Sequence, residues 1–107
     1  MAESNLRAAA SALLPALRNY LDITWKDPSL DEQLVGMLAR CMTILDSMAG
    51  APQEYEEEGL VRQLLFDYVR YVRAGSASDF PKNFTGELLM LRQRQEAAAY
   101  VPDADLP

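Results

Sequence analysis

The feature that most constrains the fold of this chain is a regular apolar repeat between Pro28 and Pro52. Its members recur at intervals of three and four residues, the spacing of one face of an amphipathic helix. They are Leu30, Leu34, Met37, Leu38, Cys41, Leu45 and Met48. Ser29 and Glu32 have the spacing of a capping box, and Gly50 suits a left-handed C-terminal cap. The sequence therefore predicts a helix that begins near Ser29 and ends at Gly50.

Two shorter helices are predicted on either side of this segment. Because proline is favoured at the first position of a helix, the first helix is expected to begin near Pro15 and to end near Asp22. The helix after the repeat stops near Gly75, with Arg70 and Arg73 in its last turns, where basic groups complement the helix dipole. Its apolar positions are Leu60, Val61, Leu64, Leu65, Tyr68, Tyr71 and Val72.

A fourth helix is expected after the segment Gly75–Ser78. Ser78 or Asp79 can cap it, and Pro81 falls in its first turn. Its apolar stripe is formed by Phe80, Phe84, Leu88 and Leu91, and Leu89 widens it. We therefore predict an all-α fold, a small bundle of about four helices with extended terminal segments. Residues 1–12 form an N-terminal extension in this interpretation, residues 13–96 the helical domain, and residues 97–107 a C-terminal tail. The alanine-rich extension could itself be helical, and residues 96–99 could prolong the last helix.

The composition argues against catalysis and cofactor binding. The 107 residues include no histidine and a single cysteine, Cys41, which removes the commonest neutral-pH acid/base group and any multi-cysteine zinc site. Cys41 lies in the apolar repeat, so we expect a buried, inert thiol. We predict no enzyme activity, no metal and no cofactor. The sequence also has neither a signal-peptide pattern nor an apolar stretch that could span a membrane, so a reducing cytoplasm and no membrane partner are expected.

The net charge of −6 is unevenly distributed along the chain. Residues 22–58 carry nine acidic and two basic side chains, a net charge of −7, whereas residues 59–94 carry six basic and three acidic side chains, a net charge of +3. An acidic chain is a poor binder of nucleic acid by default. Surfaces of opposite charge on one subunit could instead attract neighbouring copies.

Two aromatic features are candidate interaction sites. In the run from Tyr68 to Arg73, the tyrosines and arginines either serve the core and the helix terminus or line a subunit contact, in which Tyr68, Arg70, Tyr71 and Arg73 take part. Stacking on RNA is a third and weaker interpretation, because the chain is acidic. The single tryptophan, Trp25, is predicted to cover the end of the bundle, or, if it is exposed, to mark a subunit or partner contact.

The order of these features resembles the head–tail connector (adaptor) proteins of long-tailed bacteriophages. The resemblance covers residues 13–95 and is carried by LRNYLDITW at residues 17–25, the helix from Asp31 to Ala49 closed by Gly50, and LLFDYVRY at residues 64–71. Asp79-Phe80 and LLMLR at residues 88–92 complete it. It implies a structural subunit in a ring of about 12 copies, with a portal protein on one side and a stopper or tail-completion protein on the other.

The resemblance also implies where partners would bind. The C-terminal helix and tail would reach the portal, which makes Arg92, Arg94, Tyr100 and Val101 candidate docking residues. The protein would lie at the head–tail interface of the virion, and in the host cytoplasm during assembly, with DNA only passing through the channel.

The acidic loop, defined as Glu54, Glu56, Glu57 and Glu58, has two interpretations. It can be a solvated segment before a helix N-terminus, or a channel-facing surface that repels phosphates. Two other function classes stay open. One is a small cytoplasmic helical regulator or antitoxin-like binding protein, and the other is an enzyme that uses carboxylates and a divalent ion.

Overall fold

The fold is all-α, as predicted. The computed structural model describes residues 3–100, with side chains from Asn5 onward. In this range the α-helices are α1 (Glu3–Tyr20), α2 (Pro28–Ala49), α3 (Leu60–Arg73), α4 (Phe80–Asn83) and α5 (Thr85–Ala99), and a 3-10 turn, Ala77–Asp79, precedes α4. The predicted tail begins too early, because residues 97–99 still belong to α5 and Tyr100 is its C-cap. Val101 and the residues after it lie outside the described residues.

Helix α2 is the centre of the bundle, where α1, α3 and α5 all pack against it. Four members of its apolar repeat, Leu34, Leu38, Cys41 and Leu45, are buried, and the other three are half-buried against the same core. The left-handed cap at Gly50 is confirmed, with φ of 91° and its N–H donating to the Asp46 carbonyl. The capping box predicted at Ser29 is wrong. Asp27 is the N-cap instead, since its carboxylate accepts from the N–H groups of Ser29 and Leu30 and Pro28 occupies the first helical position.

The predicted start of the first helix near Pro15 is also wrong, because α1 already begins at Glu3. Part of the predicted N-terminal extension is therefore helix. Leu6, Ala10, Leu13 and Leu17 recur at helical spacing and pack into the core. Pro15 is exposed, so the hydrogen bond that its missing N–H would have made lies on the solvent side of the helix.

The end of α1 brings the chain into the α1–α2 connector. Asp22 adopts a left-handed conformation with φ of 60°, and Ile23 donates its N–H back to the Arg18 carbonyl at 2.9 Å. This is the hydrogen-bond pattern of a Schellman-type helix end, with the buried Ile23 as its apolar contact. Arg18 also forms an ion pair with Asp31 of α2. The connector is thereby held against the bundle at both ends.

The predicted fourth helix is divided into α4 and α5 by a break at Phe84. The Thr85 hydroxyl donates to the Pro81 carbonyl at 2.8 Å, a side-chain bond that competes with regular helix hydrogen bonding. Phe80 stacks between Phe84, with centroids 4.6 Å apart, and Tyr68, with centroids 4.4 Å apart. This aromatic cluster fixes α4 on α3 and sets the direction in which α5 leaves.

Helix α5 contributes little to the core compared with its length. Leu91 is its one buried residue, and Leu88 and Gln95 are half-buried. The side facing the bundle packs on α2 and α3. Every residue from Glu96 to Ala99 is exposed. The last turn of α5 therefore presents side chains to solvent on all sides.

Candidate interaction surfaces

The tyrosines of the Tyr68–Arg73 run are used inside the subunit. Tyr68 is 7% exposed and stacked on Phe80, so its ring is not available to a neighbouring subunit, and the assignment of Tyr68 to an interface is corrected. Burial raises the pKa of its hydroxyl. Tyr71 is half-buried, with edge contacts to Phe80 and Phe84, and its hydroxyl accepts from Asn83 at 3.0 Å. Both rings hold α4 in place.

The arginines of the same run are exposed. Arg70 lies 3.8 Å from the Asp67 carboxylate and near the face of the Tyr71 ring, at 5.9 Å from its centroid. Arg73, in the last turn of α3, is exposed as well. Of the interface candidates in this run, Arg70, Arg73 and part of Tyr71 are thus at the surface.

A buried polar cluster between α1 and α3 was not found from the sequence. Asp67 is 7% exposed and accepts hydrogen bonds from the Tyr20 hydroxyl and from Gln63 Nε2. Burial, together with the neighbouring Asp67 carboxylate, raises the pKa of Tyr20 to about 12. The only hint in the sequence is a carboxylate among buried apolar residues of α3, and its partner Tyr20 lies 47 positions away. The cluster joins the two helices and satisfies the carboxylate.

Trp25 does not cover the bundle. Its side chain is 53% exposed, whereas Ile23, two residues earlier, is buried. The Trp25 carbonyl accepts a hydrogen bond from the Arg18 guanidinium, so the backbone that carries the indole is fixed. Of the two interpretations, the covering role is wrong, and the exposed indole remains a candidate contact with a partner.

The acidic loop is anchored on α2 by Tyr55, the residue between Glu54 and Glu56. Tyr55 is buried, and its hydroxyl donates to the Asp46 carboxylate at 2.6 Å. Burial and the adjacent Asp46 raise the pKa of Tyr55 far above its usual value. The Gln53 N–H also donates to Asp46, at 3.0 Å. The anchor therefore holds the backbone that carries the exposed carboxylates on α2.

Arg94 lies beside the acidic loop. It lines a surface groove of about 360 Å³ together with Glu54, Glu56, Glu57 and Glu58. Arg62 also reaches this loop, because its guanidinium donates to the carbonyls of Tyr55 and Glu56. The acidic and basic segments of the sequence therefore meet within one subunit at this point. Arg94 belongs to this surface as much as to the predicted portal-docking set.

The other predicted docking residues lie along α5 and after it. Arg92 is exposed, with a long hydrogen bond of 3.4 Å to the Met48 carbonyl at the end of α2. Tyr100, at the C-cap of α5, is 61% exposed. Leu89 and Met90 are 54% and 52% exposed, so the prediction that Leu89 widens the buried stripe of this helix is wrong. These two apolar side chains lie on the side of α5 that faces away from the bundle.

The expectation for Cys41 is confirmed as far as its burial is concerned. The thiol is buried in α2, and burial raises its pKa to about 11, which keeps it protonated at neutral pH. Within residues 3–100 there is no group of three or more acidic or cysteine side chains placed to hold a metal ion. In the same range, no helix is both long enough and apolar enough to span a bilayer.

Comparison with protein-family models, curated proteins and solved structures gave no match to this chain.

Proposed function

We propose that this chain is a structural, non-enzymatic subunit of a phage head–tail connector. In this proposal about 12 copies form a ring below the portal protein, DNA passes through it, and a stopper or tail-completion protein binds the far side. The virion is the place of action, after assembly in the host cytoplasm. The proposal starts from the resemblance of residues 13–95 to connector proteins and from the all-α fold, which is compatible with it.

The observation that carries the proposal is the anchored acidic loop. Its four carboxylates are exposed, while Tyr55 between them is buried and bonded to Asp46. A surface that DNA passes must not bind phosphates, and fixed negative charge repels them. A loop of this kind suits the wall of a channel better than it suits a catalytic or nucleic-acid-binding site.

The first test is assembly with a portal protein encoded beside the gene for this chain. The expected result is closed rings in negative-stain electron microscopy and a portal complex in sedimentation. Association should weaken as salt rises, because exposed charge pairs are screened. A strict monomer at low and high salt, with the portal present, would contradict the proposal.

The second test addresses the channel wall. Replacing Glu54, Glu56, Glu57 and Glu58 by lysine should make assembled rings retain DNA. The matched control replaces four exposed acidic residues elsewhere, Asp22, Glu32, Asp79 and Glu87, by lysine, which gives the same net charge. If both variants retain DNA equally, or if neither retains it, the proposal that the acidic loop faces the channel is contradicted.

A small helical regulator that sequesters a partner is the second candidate, and the exposed indole of Trp25 favours it. A large aromatic side chain on a fixed, exposed backbone is a common centre of a binding surface. A regulator of this kind would bind its partner one-to-one and would form no ring. Light scattering of the complex separates the two candidates by stoichiometry.

A further inference from the structure

Helix α5 has two apolar sides, one of which packs in the bundle. Phe84, Leu88 and Leu91 face α2, α3 and α4. The opposite side carries Gly86, Leu89, Met90, Gln93 and Ala97, all of them exposed. With about 100° between successive residues, these five lie within a stripe about 100° wide. We call them the outward stripe.

The outward stripe has a flank that is complementary to itself. Arg92 and Glu96 lie on the Leu89 side of the stripe, one turn apart. One N–H of Arg92 donates to the Met48 carbonyl of its own subunit in a long, exposed hydrogen bond of 3.4 Å, and the guanidinium has further N–H donors for a second acceptor. If two copies of α5 pack antiparallel about a two-fold axis, each flank meets the same flank of the other copy. Arg92 of one copy then faces Glu96 of the other, provided that the axis passes near residues 93 and 94.

The same register pairs large with small side chains. With the axis between Gln93 and Arg94, Met90 lies opposite Ala97 of the second copy, because the two residues are equally far from the axis. A long, flexible thioether side chain over an alanine allows close packing of two helices. Gln93 lies next to its own symmetry mate, and two amide groups can exchange hydrogen bonds.

The like charges at the axis are directed away from each other. Arg94 lies on the other flank, where it lines the groove formed by the acidic loop of its own subunit. Arg94 therefore lies beside carboxylates of its own subunit, and their negative charge offsets part of the repulsion between the two symmetry-related guanidinium groups. The charge and size of the side chains thus favour a single register.

We infer that the outward stripe binds a second copy of this chain, as an antiparallel α5–α5 pair with Met90 against Ala97 and Arg92 against Glu96. The contact is made by two helices of 15 residues. Interfaces below about 1,200 Å² are typical of weak, transient complexes, so we expect a dissociation constant on the order of 10 µM. The inference depends only on α5 and is independent of the proposed connector function.

Disulfide trapping tests the register directly. A Met90→Cys protein and an Ala97→Cys protein are mixed and oxidised at 100 µM. The antiparallel pair predicts mainly the mixed disulfide, which mass spectrometry distinguishes from the two homodisulfides. Ser47→Cys, at an exposed position of α2, is the control and should not be trapped, and the native Cys41 is buried. A predominance of homodisulfides, or trapping no faster than that of Ser47→Cys, would overturn the inference.

Analytical ultracentrifugation tests the contacts without trapping. Met90→Lys should weaken the dimer at least 10-fold, whereas Ile44→Lys, at an exposed apolar position of α2, should leave it unchanged. Arg92→Glu and Glu96→Arg should each weaken the dimer roughly 5-fold, and the double variant should restore it to within about 2-fold. Wild-type protein that stays monomeric at 200 µM, or a double variant weaker than either single one, would contradict the pairing.

Discussion

Helices α2 and α5 are both long and both carry leucines, yet the bundle uses them differently. In α2 seven residues are buried, and its two ends are closed by the Asp27 and Gly50 caps. In α5 only Leu91 is buried, and no side chain caps its N-terminus. Since core burial supplies most of the stability of a helix in a protein, α2 is stabilised by the fold itself, whereas α5 leaves Leu89 and Met90 exposed to solvent.

The largest expected difference between α2 and α5 is in the unfolding free energy that is lost when a leucine is replaced by alanine. Leu38 in α2 is fully buried, so Leu38→Ala should lower the free energy of unfolding by about 2–5 kcal/mol through lost burial and a residual cavity. Leu89 in α5 is half-exposed, and Leu89→Ala should change it by less than about 0.5 kcal/mol. Urea unfolding of the dilute monomer measures both. Similar losses would contradict the comparison.

A smaller difference in unfolding free energy is expected between a buried polar contact, that of Asp67 in α3, and a half-exposed one, that of Gln95 in α5. Asp67→Ala removes the buried acceptor of Tyr20 and Gln63 and should cost about 1–3 kcal/mol in unfolding free energy. Gln95 of α5 accepts from Gln53 at 3.2 Å in a half-exposed place, so Gln95→Ala should cost less than about 0.5 kcal/mol. The same urea titration applies, and a larger loss for Gln95→Ala would reverse the ranking.

The caps provide a third and finer comparison. Asp27→Ala should destabilise the protein by about 1 kcal/mol, because two N–H groups at the start of α2 lose their acceptor. Ser29→Ala should be close to neutral, since Asp27 and not Ser29 caps the helix. Thermal unfolding followed by circular dichroism at 222 nm, a wavelength for helix content, is sufficient. A loss at Ser29 equal to that at Asp27 would restore the capping box that the sequence suggested.

The last expected effect appears at alkaline pH and concerns Tyr20, the tyrosine of the α1–α3 cluster. The pKa of Tyr20 is raised in the folded protein from 10.0 to about 12, so folding favours the protonated hydroxyl. Its contribution to stability is present below pH 10 and is lost as the pH rises towards 12. Tyr20→Phe should therefore flatten the fall in stability over this range. The unfolding free energy is measured by urea titration at several pH values between 9 and 12. If it falls with pH as steeply in Tyr20→Phe as in the wild-type protein, Tyr20 is not a source of the fall.

The sequence predicted what depends on local patterns. The α2 repeat and Gly50 each follow from spacing or backbone preference within a few residues, and they were found. The continuity of α1 through Pro15 was missed because proline inside a helix is unfavourable in general, and only the packed structure places Pro15 on the solvent side. The choice of Asp27 over Ser29 likewise depends on the backbone geometry before α2.

The candidate surfaces depended on contacts between distant parts of the chain, and the sequence predicted them less well. Tyr68 was assigned to an interface because tyrosine and arginine favour interfaces, but its stacking on Phe80 requires the turn after α3. Arg94 and the acidic loop are about 40 residues apart and meet only because α5 packs beside α3. The outward stripe could have been recognised from Leu89 and Met90, which follow Leu88 and precede Leu91 and so cover both sides of the helix.

The most direct measurement of the contrast between α2 and α5 is hydrogen exchange at several protein concentrations. Exchange reports local stability, and buried helices exchange through larger openings than exposed ones. We predict that α2 is protected at every concentration, while residues 93–99 exchange rapidly in dilute protein and become protected as the concentration rises. Strong protection of residues 93–99 in the dilute monomer, equal to that of α2, would contradict the account.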